Sequence, residues 1–124
     1  MAEKKTREIG KNFEGEAKKF LEKKKMRCVD RNYTCRGGEI DLVLRDGEYW
    51  VFAEVKARKS TAFGMPSEYV TAEKQRRLTI AAQMYMLENA IDAPCRFDVV
   101  EIVYQTDNDD NVKKMKINHI ENAF

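Results

Sequence analysis

Long apolar runs, clustered histidines and paired cysteines are all missing from this chain of 124 residues. No stretch approaches the roughly 18 apolar residues that cross a bilayer, so we expect no membrane-spanning segment. Residues 1–11 are charged and lack the apolar core of a secretory signal, and we therefore expect a cytoplasmic protein. The three cysteines and the single histidine match neither a disulfide framework nor a zinc site, so reduced thiols are expected.

Charge is abundant but unevenly distributed. Residues 1–36 hold 12 Lys+Arg against 6 Asp+Glu, whereas residues 37–124 hold 11 against 15. A basic region attracts polyanions, although a solvated helix face would give the same pattern. Together with 43% hydrophobic residues, the length predicts one globular domain over 1–124, with residues 1–8 frayed at the terminus.

Apolar periodicity predicts two helices separated by strands. The first helix is expected over residues 12–26 with Asn12 as its N-cap, and the second from the N-cap Thr71 to Glu88. The core stripe of the second helix is expected to be Leu78, Ala81, Ala82 and Tyr85, with Lys74 on the same line of the helix. A loop is expected over 57–70. The expected strands are 27–35, 39–45, 48–56, 96–105 and 112–120. The predicted order is α-β-β-β-α-β-β, an α/β fold.

The dipeptide Asp46-Gly47 between two β-rich runs predicts a tight hairpin. If these are the two loop residues, Arg45 pairs with Glu48, and Asp41 becomes a diagonal neighbour of Glu54. Because side chains alternate along a strand, one face of the hairpin then carries several charged groups. These are Glu39, Asp41, Glu54 and Lys56.

Two carboxylates at this spacing suit one divalent ion, with Asp41 and Glu54 as the metal ligands. A metal there activates a water and stabilises the alkoxide that leaves a phosphodiester, and Lys56 is placed to orient that water. Glu39, opposite Glu54 in this register, lies just outside the ligand pair. The same residues would also make a surface ion network with Lys56 as the cation, and this alternative stays open.

Glu16 flanks the apolar stripe of the first helix and could point at the same cluster. It could equally be an exposed carboxylate that pairs with a lysine of its own helix. Backbone phosphates are held by basic side chains without sequence readout, and Arg58 and Lys74 are the residues we expect to make such contacts.

Together these residues resemble a known family. Gly38-Glu39-Ile40-Asp41 followed by Glu54-Val55-Lys56 is similar to the motif of the PD-(D/E)xK nuclease superfamily, with Ile40 in place of the proline. Further segments resemble the bacterial YraN-like family of predicted endonucleases, which is similar in fold to archaeal Holliday-junction resolvases. These segments are Gly15-Glu16-Ala17, Arg31-Asn32, Gly64, Pro66 and Arg96-Phe97-Asp98-Val99-Val100.

The resemblance implies a restriction-endonuclease-like mixed sheet flanked by helices, dependence on Mg²⁺ or Mn²⁺, and often a homodimer. It matches Asp41 and Glu54 to the metal ligands, Lys56 to the catalytic lysine, and Glu16 to the helix carboxylate of resolvases. The function it implies is endonucleolytic hydrolysis of DNA, in particular branched or structured DNA such as Holliday junctions. A non-catalytic nucleic-acid-binding or adaptor domain on the same fold is the alternative, and a nuclease directed at RNA is a third.

Overall fold

The computed structural model describes residues 2–60 and 70–124, with side chains from Phe13 onward. The order of elements is the predicted α-β-β-β-α-β-β. The helices and strands are α1 (Ala2–Lys23), β1 (Arg27–Cys35), β2 (Gly38–Asp46), β3 (Tyr49–Lys59), α2 (Ala72–Glu88), β4 (Cys95–Thr106) and β5 (Val112–Ile120).

The five strands form one sheet in which spatial order follows chain order, from β1 to β5. β3 and β4 run parallel because α2 connects them, and the other three pairs are antiparallel. The sheet is therefore mixed, as expected for this fold class. Neither described helix is long and apolar enough to cross a membrane.

Helix α1 packs on one face of the sheet. Its apolar stripe meets side chains of β2, β3 and β4 in a core that includes Phe13, Ala17, Leu21, Leu42 and Val100. The prediction that the helix begins at Asn12 is wrong, because its backbone is helical from Ala2. The preceding residues are mostly good helix formers, without proline, so no local signal ends the helix there. Fraying of residues 1–8 stays a prediction.

Helix α2 packs on the opposite face. The predicted N-cap is confirmed, since the hydroxyl of Thr71 accepts a hydrogen bond from the backbone N–H of Lys74 at 3.2 Å. The predicted stripe is also confirmed, and it packs against Ile40, Val43 and Phe52 of the sheet. The members of this stripe are Leu78, Ala81, Ala82 and Tyr85.

The register of the β2–β3 hairpin differs from the predicted one. Asp46 pairs with Tyr49 and Arg45 with Trp50, so the loop residues are Gly47 and Glu48 rather than Asp46 and Gly47. Gly47 has φ +60° and Glu48 does not have a positive φ, which is the pattern of a turn with glycine in its first central position. The difference is two residues along one strand, so from Leu42 to Asp46 each side chain keeps its predicted face but changes its neighbour. The alternation ends beyond the ladder, because Ile40 packs under α2 whereas Leu42 packs under α1.

Strand β3 continues to Lys59, so the expected loop 57–70 is wrong at its start. The strand is longer because β4 supplies pairing partners for it as far as Lys59↔Tyr104. Beyond the strand, the backbone N–H of Ser60 still donates to the carbonyl of Tyr104 at 2.7 Å. Residues 61–69, including Gly64 and Pro66 of the resemblance, lie outside the described residues.

Candidate functional site

The predicted metal ligands lie where the β2–β3 ladder ends. Its last pair is Leu42↔Ala53, and one further step in the same register brings Asp41 opposite Glu54 rather than diagonal to it. There a side chain replaces a strand carbonyl as the acceptor. Oδ2 of Asp41 accepts a hydrogen bond of 2.8 Å from the backbone N–H of Val55. This bond fixes the Asp41 side chain in the gap between the two strands.

Asp41 and Glu54 form a coupled pair, which we call the carboxyl pair. Burial and the charge of Asp41 raise the pKa of Glu54 to about 7, although Lys74 opposes the shift. Burial also raises the pKa of Asp41, the Val55 N–H opposes this, and the charge of Glu14 adds to it. Near neutral pH a protonated Glu54 can donate a hydrogen bond to the Asp41 carboxylate, so that the two side chains share one proton.

Cations from α2 face this end of the sheet. The ammonium of Lys74 lies 3.9 Å from Glu54 Oε1, and the guanidinium of Arg77 lies 3.9 Å from Glu39 Oε1. Lys74 therefore points inward, as its position in line with the apolar stripe predicted. Its side chain is still 54% exposed, so its contact with Glu54 contributes little stability.

Lys56 and Arg58 follow Glu54 on the same face of β3, and both are half-buried. Their partners in the parallel register are Glu101 and Val103 of β4. The structure thus brings Asp41 against Glu54 at the end of the ladder, with Glu54 and Lys56 on the α2 side of β3 and Glu39 at the neighbouring edge. In residues 13–60 and 70–124, no three Asp, Glu, His or Cys side chains converge closely enough to hold one ion.

Two carboxylates of α1 compete for the role predicted for Glu16. Glu14 and Glu16 are both half-buried, but on a helix they lie roughly 200° apart and flank opposite sides of the apolar stripe. Glu14 lies 4.0 Å from Arg31, and it is the α1 carboxylate among the main groups that raise the pKa of Asp41. Glu14 was missed in the sequence because it does not belong to the resemblance.

Asp98 is fully buried and is held quite differently from the half-buried carboxyl pair. It accepts hydrogen bonds from Arg96 Nε at 3.0 Å and from the backbone N–H of Asn122 at 3.0 Å, and it lies 2.7 Å from His119 Nε2. Burial raises its pKa, but the bonds from His119, Arg96 and Asn122 outweigh burial and hold the pKa below its ordinary value. We call these four residues the Asp98 cluster.

The Asp98 cluster ties distant parts of the chain to β4. Arg96 Nη1 also lies 2.8 Å from Asp46 at the β2–β3 turn, and His119 Nδ1 lies 3.0 Å from Lys24 Nζ just beyond α1. The segment Arg96-Phe97-Asp98, which carried part of the resemblance, is therefore structural. Sequence reasoning gave His119 no role, because no pattern in the chain links it to a residue 21 positions away.

Comparison with known proteins places these residues in a family. A sequence profile of the uncharacterised protein family UPF0102 matches residues 13–102, a stretch that includes the carboxyl pair, Lys56 and Lys74. This match confirms the YraN-like part of the resemblance.

Individual relatives extend the similarity to most of the chain. A UPF0102 protein of Hahella chejuensis is 44% identical over 94 residues, 75% of this chain and 76% of that one. One of Pelotomaculum thermopropionicum is 40% identical over 117 residues, 94% of each chain. One of Geobacter sulfurreducens is 39% identical over 117 residues, 94% of this chain and 88% of that one. None of these names states an activity.

Proposed function

The chain belongs to the uncharacterised protein family UPF0102, and we propose that it is a metal-dependent endonuclease that hydrolyses phosphodiester bonds in DNA. The observation that carries the proposal is the carboxyl pair, two acids of raised pKa at the end of a strand ladder, with Lys56 two residues further along β3. A fold alone does not specify a function, so the proposal depends on this site.

The residues present fit a divalent cation with oxygen ligands, Mg²⁺ or Mn²⁺. Their raised pKa values mean that ionising both acids at this site is unfavourable without an added positive charge. Two protein carboxylates suffice for Mg²⁺, which usually keeps several waters. When bound, such a metal polarises a phosphate oxygen and lowers the pKa of a bound water.

The chain's own groups then have separate tasks. The backbone N–H of Val55 holds Asp41 in a fixed orientation, and the Lys56 ammonium orients the attacking water and offsets charge at the phosphate. Hydrolysis joins the water oxygen to phosphorus, breaks the bond to the leaving oxygen, and gives that oxygen a proton. One carboxylate of α1 assists this step. The resemblance assigns that role to Glu16, whereas the effect of Glu14 on the pKa of Asp41 favours Glu14.

Basic groups beside the carboxyl pair support DNA as the ligand. Lys74 enters from α2 and Arg58 from β3, and Arg77 extends the basic surface along α2. Each can hold a backbone phosphate without reading sequence. The preference for branched or structured DNA such as Holliday junctions, and a homodimer with two such sites, are proposed from the resemblance.

The test is cleavage of labelled four-way junction, flap, single-stranded and duplex DNA with Mg²⁺, with Mn²⁺ and with a chelator. We expect metal-dependent cutting that falls about a hundredfold or more in Asp41→Asn and Lys56→Ala. Glu48→Gln, a change in the exposed hairpin turn, is the control and should cut like the unaltered protein. Comparing Glu14→Gln with Glu16→Gln identifies the assisting carboxylate.

A second candidate function is a nucleic-acid-binding or adaptor domain without catalysis. The contact of Lys74 with Glu54 favours it, because that cation already neutralises part of the site. Binding of the same DNAs that is unchanged in Asp41→Asn, without cutting under any metal condition, would support this candidate and refute the nuclease.

A further inference from the structure

Glu101 of β4 lies beside Lys56 on the face that carries the carboxyl pair. The two residues are register partners in the parallel β3–β4 ladder, and partners in a ladder point to the same side. Val100 and Ile102, on either side of Glu101, belong to the core under α1. Glu101 therefore points to the α2 side, where Glu54 meets Lys74.

The Glu101 side chain is buried, with only 4% of the residue exposed. A carboxylate that is buried this completely costs free energy unless a donor or a cation compensates for it. The register places three cationic residues around it on this face. Lys56 is directly adjacent on β3, Arg58 lies two residues further on, and Lys116 lies diagonally across on β5 beside the neutral Asn118.

Lys56 needs such a neighbour for the proposed chemistry. It lies two residues from Glu54 on the same face, so its flexible ammonium could turn back and neutralise a metal ligand. A carboxylate on the opposite side of Lys56 from Asp41 would hold the ammonium away from that position. Of the charged groups on this face, Glu101 is the acid that the β3–β4 register sets beside Lys56.

We propose that Glu101 is a positioning residue that holds the Lys56 ammonium beside the carboxyl pair, an inference that rests on the nuclease function proposed above. Glu101 thereby gains a role, although it belongs neither to the motif of Asp41, Glu54 and Lys56 nor to the Asp98 cluster.

The first measurement does not require activity. Reductive methylation of the metal-free protein, followed by mass spectrometry, reports how freely Lys56 reacts. We expect Lys56 to be methylated several-fold faster in Glu101→Gln than in the unaltered protein or in the control Glu48→Gln, with Lys24 unchanged in all three. An unchanged rate at Lys56 would overturn the proposal, whether or not the protein cuts DNA.

The second measurement is steady-state cleavage of the best DNA substrate. We expect kcat to fall at least tenfold in Glu101→Gln while KM changes less than twofold, because Lys56 acts on the reacting phosphate and not on general affinity. A loss expressed only in KM would contradict the role. If the unaltered protein cuts no DNA, the nuclease proposal fails, and the methylation result still decides the contact.

If Glu101→Gln is unstable, because the change removes the charge of a buried acid beside the half-buried Lys56, a second comparison replaces it. In that case the double variant Glu101→Gln, Lys56→Gln is compared with both single variants by urea denaturation. We expect the double variant to recover most of the loss in midpoint seen in Glu101→Gln. Losses that simply add would refute the pairing.

Discussion

Asp98 is buried and the two acids of the carboxyl pair are half-buried in the same sheet, but their pKa values move in opposite directions. Asp98 is surrounded by donors, and its charged form is favoured despite burial. In the carboxyl pair, Asp41 accepts a bond from the Val55 backbone N–H and Glu54 lies 3.9 Å from the Lys74 ammonium. Glu54 also meets the like charge of Asp41, and the protonated form of Glu54 is favoured. Loss of solvent raises the pKa in both regions, so the groups around each acid decide whether it stabilises the fold or remains available to a ligand.

The two regions also show that a sequence motif can be present for stability, as in the Asp98 cluster, or for function, as we propose for the carboxyl pair. The Asp98 cluster links β4 with β5 and, through Arg96, with the β2–β3 turn. The carboxyl pair joins the ends of β2 and β3 and meets Lys74 of α2, and its two like charges oppose folding. Strained or unfavourable groups of this kind are the ones that indicate a functional site.

The largest expected effect is on stability, from Asp98→Asn. Removing one partner of a buried ionic network costs about 3–5 kcal/mol, because Arg96 and His119 lose the charge they bind. Urea denaturation at pH 7 measures the loss, with the exposed Asp92→Asn as control. A loss below about 1 kcal/mol would contradict the structural role.

The free energy of unfolding lost in Asp98→Asn should depend on pH. The folded pKa of Asp98 lies below its ordinary value of 3.8, so its stabilisation is complete above that pH and disappears as the pH falls through the folded pKa. The difference between Asp98→Asn and the unaltered protein should therefore narrow in acid.

The next effect tests how the site is supported. A Cβ added to Gly38 would lie 2.2 Å from the backbone carbonyl oxygen of Arg77, so α2 must shift in Gly38→Ala. We expect a loss of about 1–3 kcal/mol on urea denaturation. Gly15→Ala is the matched control. It has open space around the added methyl group in α1, and we expect it to stabilise by about 0.5–1 kcal/mol.

The elements of the fold differ in how well the sequence predicts them. All seven elements and their order were predicted, because apolar periodicity reveals the helices and β-rich runs between turn signals reveal the strands, including β1 and β5, which have no buried residue. The start of α1 and the end of β3 were misjudged because neither boundary has a local signal. β3 continues only because β4, far along the chain, pairs with it.

The site shows the same division. The face shared by Glu54 and Lys56 follows from alternation and does not depend on the hairpin register, whereas alternation fails between Ile40 and Leu42, on either side of Asp41. The neighbours of these side chains cannot be predicted from alternation, because they depend on the geometry of the β2–β3 turn and on the position of α2. Glu14, Glu101 and the Asp98 cluster were missed for this reason, since each acts through contacts across the fold.

Glu54→Gln should stabilise the protein, in contrast to Asp98→Asn. The unfolded chain ionises Glu54 near its ordinary value of 4.5, whereas the folded chain does so at about 7. The free energy of unfolding should therefore fall as pH rises from 4.5 to about 7 and then level off. We expect Tm of Glu54→Gln to exceed that of the unaltered protein by a few degrees at pH 8 and by less at pH 5. Equal Tm values at pH 8 would refute the unfavourable carboxyl pair.

The smallest expected effect is that of the metal itself, read as a shift in Tm without any DNA. A ligand at ten times its Kd stabilises the folded state by about 1.4 kcal/mol, so Mg²⁺ should raise Tm of the unaltered protein by a few degrees at pH 8. The increment should shrink at pH 6, because below a pKa of about 7 the metal must displace the proton held by Glu54. Glu54→Gln should show little increment at either pH, whereas Asp92→Asn should respond like the unaltered protein. If Glu54→Gln gained as much as the unaltered protein, the ion would bind elsewhere, and the difference between the Asp98 cluster and the carboxyl pair would carry no information about metal.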